Sequence, residues 1–225
     1  MKLDASHPAV SALRKLLPDG VVSGGSFADW LPHPRTIPPE DRERILRAAQ
    51  ELAAGECLRD LSRHMDLEPN ASIGVGQGGI RLWPNGFVGS TTHKGTVVLG
   101  VVFSEAVLES VGIDLELIER AEFAGLEKLI APEGLPAVPN SVIATVLAFS
   151  AKEAVYKAWY PLGQRPLGFG DVRLKWTSLD GDRYRAEARC PGSRSFGVQC
   201  MIVRDWILST ADSRYSRQRG RRFRC

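Results

Sequence analysis

One stretch limits what this chain can become more than any other: Phe149-Ser150-Ala151-Lys152-Glu153-Ala154-Val155-Tyr156-Lys157-Ala158-Trp159. It contains no Gly or Pro, is built of good helix formers, and meets Pro161 just beyond its end, so it predicts the second half of a helix that begins near Ser141. Glu153 and Lys157 are four residues apart and share a face, with Lys152 beside them. A helix that only packs would rarely place two lysines and a glutamate among Phe149, Val155, Tyr156 and Trp159. Upstream, Val111-Gly112-Ile113-Asp114-Leu115-Glu116 alternates apolar and acidic residues with period two, the pattern of a strand. Val111, Ile113 and Leu115 then face a core, and Asp114 and Glu116 share the other face. Taken alone, those acids could be the solvated face of an edge strand. Joined by Glu153, they form a group of three carboxylates that repels itself unless a cation neutralises it. Ligands that are all oxygen suit Mg²⁺, which keeps part of its water shell and draws on substrate phosphates for the rest.

These two stretches, Gly112-Ile113-Asp114-Leu115-Glu116 and Phe149 to Trp159, resemble the signature motifs of the 4′-phosphopantetheinyl transferases, in the branch that activates surfactin and enterobactin synthetases. Trp83-Pro84-Asn85-Gly86-Phe87-Val88-Gly89-Ser90-Thr91-Thr92-His93 looks like the third motif. The resemblance spans roughly residues 40–210. It implies an α+β fold of two pseudo-symmetric lobes, each with helices on a mainly antiparallel sheet. Residues 1–108 would form the coenzyme A-binding lobe, 109–211 the lobe with the metal and catalytic motifs, and 212–225 an Arg-rich tail.

The implied reaction moves the phosphopantetheine arm of coenzyme A to a serine of an acyl or peptidyl carrier protein of a secondary-metabolite pathway, with Mg²⁺, releasing 3′,5′-ADP. The resemblance assigns metal ligation to Asp114, Glu116 and Glu153. Glu153 also becomes a candidate base for the serine proton, Lys157 a contact to the pyrophosphate, and Lys152 a charge at the edge of the site. Thr92 and His93 would grip phosphates of coenzyme A. Surface lysines paired along a helix, and an ordinary histidine at a strand end, are the plainer readings of the same residues.

The chain also departs from the family pattern. Where arginines are usual it reads Ala48-Ala49-Gln50-Glu51-Leu52-Ala53-Ala54-Gly55-Glu56, with Glu56 at an expected arginine, and Val75 falls where a basic residue precedes the Trp-Pro turn. Arg42, Arg44, Arg47, Arg59, Arg63 or Lys94 are the candidate replacements. Without one of them the chain would bind coenzyme A weakly or prefer a donor lacking the 3′-phosphate, and a carrier-binding protein with impaired transfer is the alternative reading.

The remaining sequence narrows the class. A chain of 225 residues, 44% hydrophobic, can bury a sizeable core in one domain or two small ones. Its net charge of +3 implies no strong preference for nucleic acid. The arginines from 214 to 224 give a phosphoryl enzyme acting on nucleic acid its only support, and that tail has little to bury and is expected to be disordered. Four cysteines without CxxC spacing suggest no zinc site. No apolar signal core or membrane-length run is present, so a reduced, cytoplasmic monomer is expected.

Along the chain, a short helix is expected over 9–17, an ordered Gly- and Pro-rich loop over 23–39, and a helix from about 40 to 63. Gly74, Gly76 and Gly79 nominally fit G-x-G-x-x-G, but Trp83-Pro84 leaves no room for the helix such a motif needs. Strands are expected at 97–103 and 110–116, a helix at 119–130, a loop at 132–139, and strands at 171–176, 183–189, 196–203 and 206–210, with Asp180-Gly181 as a hairpin turn.

Overall fold

The computed structural model describes residues 2–33, 36–65, 73–76, 81–119, 125–138, 140–163 and 167–213, the side chains of 178–180 excepted. Two compact units divide the chain, residues 1–103 and 104–225.

In the first unit, helix α1 (Pro8–Leu16) starts with Pro at its first position and is capped by His7, whose Nδ1 accepts from the Ala9 N–H at 3.3 Å. A sheet follows in the order β1-β5-β4, from β1 (Val21–Ser26), β4 (Phe87–Lys94) and β5 (Val97–Ser104), and β1 runs antiparallel to β5. Helix α2 (Arg42–His64) lays a row of small residues, Ala49, Ala53 and Cys57, against Val98 and Val102. A Cβ on Gly100 would meet Cys57 Sγ and Leu61 Cδ1 at 2.8 Å, so α2 closes onto the sheet where a side chain is missing. Strands β2 (Gly74–Val75) and β3 (Arg81–Leu82) form a small separate ladder, with Val75 directly across from Arg81.

The 23–39 stretch is therefore not all loop. Gly24 and Gly25 sit inside β1, where added Cβ atoms would come within 2.3 Å of the Val98 carbonyl oxygen and 2.4 Å of that of Asp4. Glycine is present because other backbone passes so close, and both residues have positive φ.

In the second unit, strands β6 (Val111–Leu117), β7 (Arg173–Asp180), β8 (Arg183–Arg189), β9 (Ser195–Val203) and β10 (Trp206–Asp212) pair antiparallel in the order β6-β10-β9-β8-β7. Between β6 and β7 lie α3 (Glu127–Ile130) and α4 (Ser141–Trp159). The expected 119–130 helix is reduced to the single turn of α3 among the described residues; 120–124 lie outside them. The last strand reaches Asp212, and Ser213 beyond it is buried, its Oγ accepting from the Glu109 and Ser110 N–H groups. The Arg-rich segment 214–225 lies outside the described residues. Asn140 caps α4 through its side-chain oxygen, which accepts from the Val142 and Ile143 N–H groups at 2.8 and 3.2 Å. Along its length α4 buries Val146, Leu147, Ala151, Ala154, Val155 and Ala158 against Phe196, Val198, Cys200, Ile207 and Ala211 of the sheet. No helix among the described residues is long and apolar enough to cross a membrane.

Candidate active site

The geometry begins at Gly112. A Cβ there would lie 1.9 Å from the Ala154 carbonyl oxygen and 2.6 Å from the Ala158 amide nitrogen. Only glycine lets the α4 backbone approach β6 this closely. The contact fixes which residues of α4 stand over which residues of β6. Gly112 faces α4, so by strand alternation Asp114 and Glu116 face it too. Val111, Ile113 and Leu115 point the other way and are buried as well. The acids are thus no solvated edge, at 5% exposure for Asp114 and 6% for Glu116.

From α4, the Lys157 ammonium donates to Asp114 Oδ1 at 2.8 Å and to the Ile113 carbonyl oxygen at 3.1 Å. Asp114 Oδ2 is buried with no hydrogen-bond partner among the described residues. One turn before Lys157 stands Glu153. Burial pushes its carboxyl above the usual range, the charges of Asp114 and then Glu116 add to the rise, and Lys157 opposes it. Glu153 therefore feels the charge of both β6 carboxylates, with one ammonium among the three. Among the described residues, no three His, Cys, Asp or Glu side chains stand in an arrangement that could hold a metal ion as they are, so joint ligation by Asp114, Glu116 and Glu153 requires their side chains to move. The cation that Asp114 touches is Lys157.

Lys152 points elsewhere. Its side chain is 1% exposed, and its ammonium sits 2.8 Å from Glu133 Oε1 and donates to the Phe169 carbonyl oxygen at 2.8 Å. Burial lowers its pKa, and Glu133 acts against that. Glu133 also accepts from the Leu174 N–H at 3.2 Å, so one carboxylate ties the 131–138 loop to both α4 and β7. Lys152, Glu153, Tyr156, Leu167, Gly168, Phe169 and Val172 line a pocket of about 340 Å³. Phe149 and Phe169 pack in a tilted arrangement with ring centres 5.4 Å apart. Glu133 was not expected to take part. Its only sequence signal is an acid in an otherwise apolar Pro-rich loop, which cannot reveal a partner nineteen residues away.

In the first unit, Thr92 is buried on β4 and His93 is exposed beside it. The arginines of α2 are largely engaged along their own helix: Arg44 with Asp41 at 2.8 Å, Arg47 with Glu43, Arg59 with Glu56, and Arg63 with Asp60 at 3.6 Å. The Arg59 guanidinium beside Glu56 lowers that carboxyl's pKa. Arg81 is a further cation, with no motif around it to mark it in the sequence. Only the β2–β3 register, which sets it across from Val75, brings it to notice.

Comparison with known proteins points to one family. A family model described as the 4′-phosphopantetheinyl transferase superfamily matches residues 110–211, the unit that carries β6 and α4. The chain is 33% identical to the 4′-phosphopantetheinyl transferase PptT of Mycobacterium tuberculosis, over 84% of this chain and 82% of that protein. It is 28% identical to the 4′-phosphopantetheinyl transferase Npt of Nocardia iowensis, over 88% of this chain and 95% of that one. It is 31% identical to the enterobactin synthase component D of Salmonella typhi, over 67% of this chain and 62% of that protein.

Proposed function

Because the chain belongs to the 4′-phosphopantetheinyl transferase superfamily and is an enzyme that moves the phosphopantetheine arm of coenzyme A onto carrier proteins, we propose that it does so with Mg²⁺ held by Asp114, Glu116 and Glu153. The observation that carries this reading is Asp114: buried, with one oxygen on an exchangeable ammonium and the other without a partner. Buried carboxylates kept together without enough countercharge suit a hard divalent cation. When bound, such an ion would offset the pyrophosphate charge and polarise the phosphorus that the serine attacks. The residues of the chain do the rest. In this reading Glu153 also accepts the proton of the attacking serine. Lys157, partly exposed, can pass from Asp114 to a phosphate oxygen and steady the departing 3′,5′-ADP. Lys152, bound to Glu133 and Phe169, holds the wall of the pocket; its charge serves the site through that wall. Thr92 and His93 take phosphate oxygens of the donor, as the resemblance implies. The acceptors are acyl or peptidyl carriers of a secondary-metabolite pathway, and the protein acts as a cytoplasmic monomer.

The test is to incubate the protein with coenzyme A, Mg²⁺ and several apo carrier proteins, then weigh the carriers. Wild type adds one arm, chelation of divalent ions stops it, and Asp114→Ala and Glu153→Ala each abolish it. Full activity in either variant, or in chelator, would sink the ligand assignment.

A second reading concerns the donor. With Arg44, Arg47, Arg59 and Arg63 each turned to an acid along α2, Arg81 is the cation best able to add to the hold on the 3′-phosphate. Calorimetry separates the cases: tight carrier binding with coenzyme A binding too weak to measure favours an impaired donor site.

A further inference from the structure

The outer face of the β7–β8 hairpin carries a lattice of cations that the reaction does not use. Arg173 pairs across from Arg189, Lys175 from Glu187, and Ser178 from Arg185, with Arg183 at the hairpin end. Arg173, Lys175, Arg183, Arg185 and Arg189 are all exposed. Glu187, 4% exposed, neutralises Arg189 at 3.2 Å and also accepts from Ser195 Oγ. Arg173, Lys175, Arg183 and Arg185 make no ion pair with another described residue. Acids near the hairpin besides Glu187 are Asp171 before β7, Asp182 at the turn, Asp180 directly across from Arg183 in the register, and Glu133, whose carboxylate meets the β7 backbone at Leu174 from the α4 side.

This face lies on the side of the sheet opposite the carboxylates of β6. Leu174, Ala186, Ala188 and Val198 pack into the cluster built on α4, so alternation puts the basic residues on the opposite side of the sheet. Asp114 and Glu116 lie on the α4 side. The sheet itself separates the two sets of charges.

The spacing and composition choose the partner. Successive same-face cations along a strand are about 6.7 Å apart, and cross-strand neighbours about 5 Å. Glutamates at every fourth position of a helix rise about 6 Å per step, close to the strand interval. Single-stranded nucleic acid would want aromatic platforms, but Trp176 and Tyr184 face α4. A duplex-DNA site that neutralises about 6–10 phosphates would need more cations than the four on this face that make no ion pair with a described residue. We propose that the outer face of β7 and β8 is a docking surface for an acidic protein helix with carboxylates at every fourth residue, separate from the site of transfer. It would hold an acidic segment of a partner assembly while the carboxylate side works on the acceptor. This goes beyond the transfer reaction and does not depend on its metal.

The probe is an alanine-rich helical peptide with glutamate at every fourth position, labelled for fluorescence anisotropy, with a scrambled peptide of equal composition beside it. Wild type is expected to bind the patterned peptide more tightly than the scrambled one, and to lose affinity from about 50 to 200 mM salt. Arg183→Glu/Arg185→Glu should weaken binding about tenfold and flatten the salt dependence. The milder Arg173→Gln/Lys175→Gln should weaken it as well, should the reversal impair folding. Arg14→Glu/Lys15→Glu, on exposed α1 positions, changes net charge equally and should leave binding intact. Saturating coenzyme A should not displace the peptide, and transfer to an isolated carrier should be unchanged in the hairpin variants. Equal loss in the α1 control, equal binding of the scrambled peptide, displacement by coenzyme A, or tighter binding of a single-stranded oligonucleotide of the same charge would each overturn the proposal.

Discussion

Replacing Gly112 by alanine tests the geometry of the whole site with a single methyl group. That methyl would sit 1.9 Å from one backbone atom of α4 and 2.6 Å from another. Neither atom can rotate away. Reaching the 3.4 Å at which ordinary contact begins requires about 1.5 Å of movement between helix and strand. Overpacking that flexible side chains can absorb costs about 1–3 kcal/mol, and here the clash is with backbone, so about 3 kcal/mol is expected. For a chain of this size that lowers the melting temperature by about 6–12 °C. The same movement acts on the 2.8 Å contact between Lys157 and Asp114, carrying it beyond hydrogen-bond range. A displacement of about 1 Å at reacting groups can lower a rate about a hundredfold. Calorimetric melting and carrier-mass assays on Gly112→Ala at a temperature where it stays folded read the two effects separately. A variant that melts within about 2 °C of wild type and transfers within about twofold would show that α4 does not depend on this contact.

Three further outcomes follow from the same coordinates. Glu153 has a folded pKa above its ordinary 4.5, so the folded state binds its proton more tightly than the unfolded chain. In chelator, stability contributed by this group is therefore present below 4.5 and lost as pH rises through the raised value; denaturation across that window should show the fall, and Glu153→Gln should remove it. Lys152→Met leaves the Glu133 carboxylate without its ammonium and should destabilise by about 3–5 kcal/mol in urea unfolding. Lys152→Met/Glu133→Gln should recover much of that, and additive losses would refute a coupled pair. Arg81→Ala should weaken binding of coenzyme A in calorimetry while leaving a donor without the 3′-phosphate unaffected; equal loss for both would remove Arg81 from that role.

The pairing of β6 with α4 was legible because each carries its own period. Alternation in Val111–Glu116 and the uninterrupted helix through Trp159 are local facts, as is the carboxylate face they create. Other features lie outside any local window. β1 reads as loop because Gly24 and Gly25 have poor strand propensity; their reason is close backbone from Val98 and Asp4. The Lys152–Glu133 pair joins residues from different elements, and no local window shows that the lysine's ammonium is engaged by a loop acid nineteen residues earlier. That the outer face of β6 is buried as thoroughly as its α4 face is equally invisible, since period two cannot say what covers either side. The adjacency of Val75 and Arg81 depends on a register only two residues long.

Strand β6 finds its hydrogen-bonding neighbour in β10, where Asp114 stands opposite Ser209, ninety-five residues later in the chain. A ribosome adding about 5–20 residues per second makes Asp114 about 5–20 s before it makes Ser209. Through that interval the nascent polypeptide holds its acidic motif without the ladder that orders it. A product cut short before Trp206 would still contain Asp114, Glu116, Glu153 and Lys157, yet would lack the strand on which β6 is laid, so messages truncated there would yield inert protein.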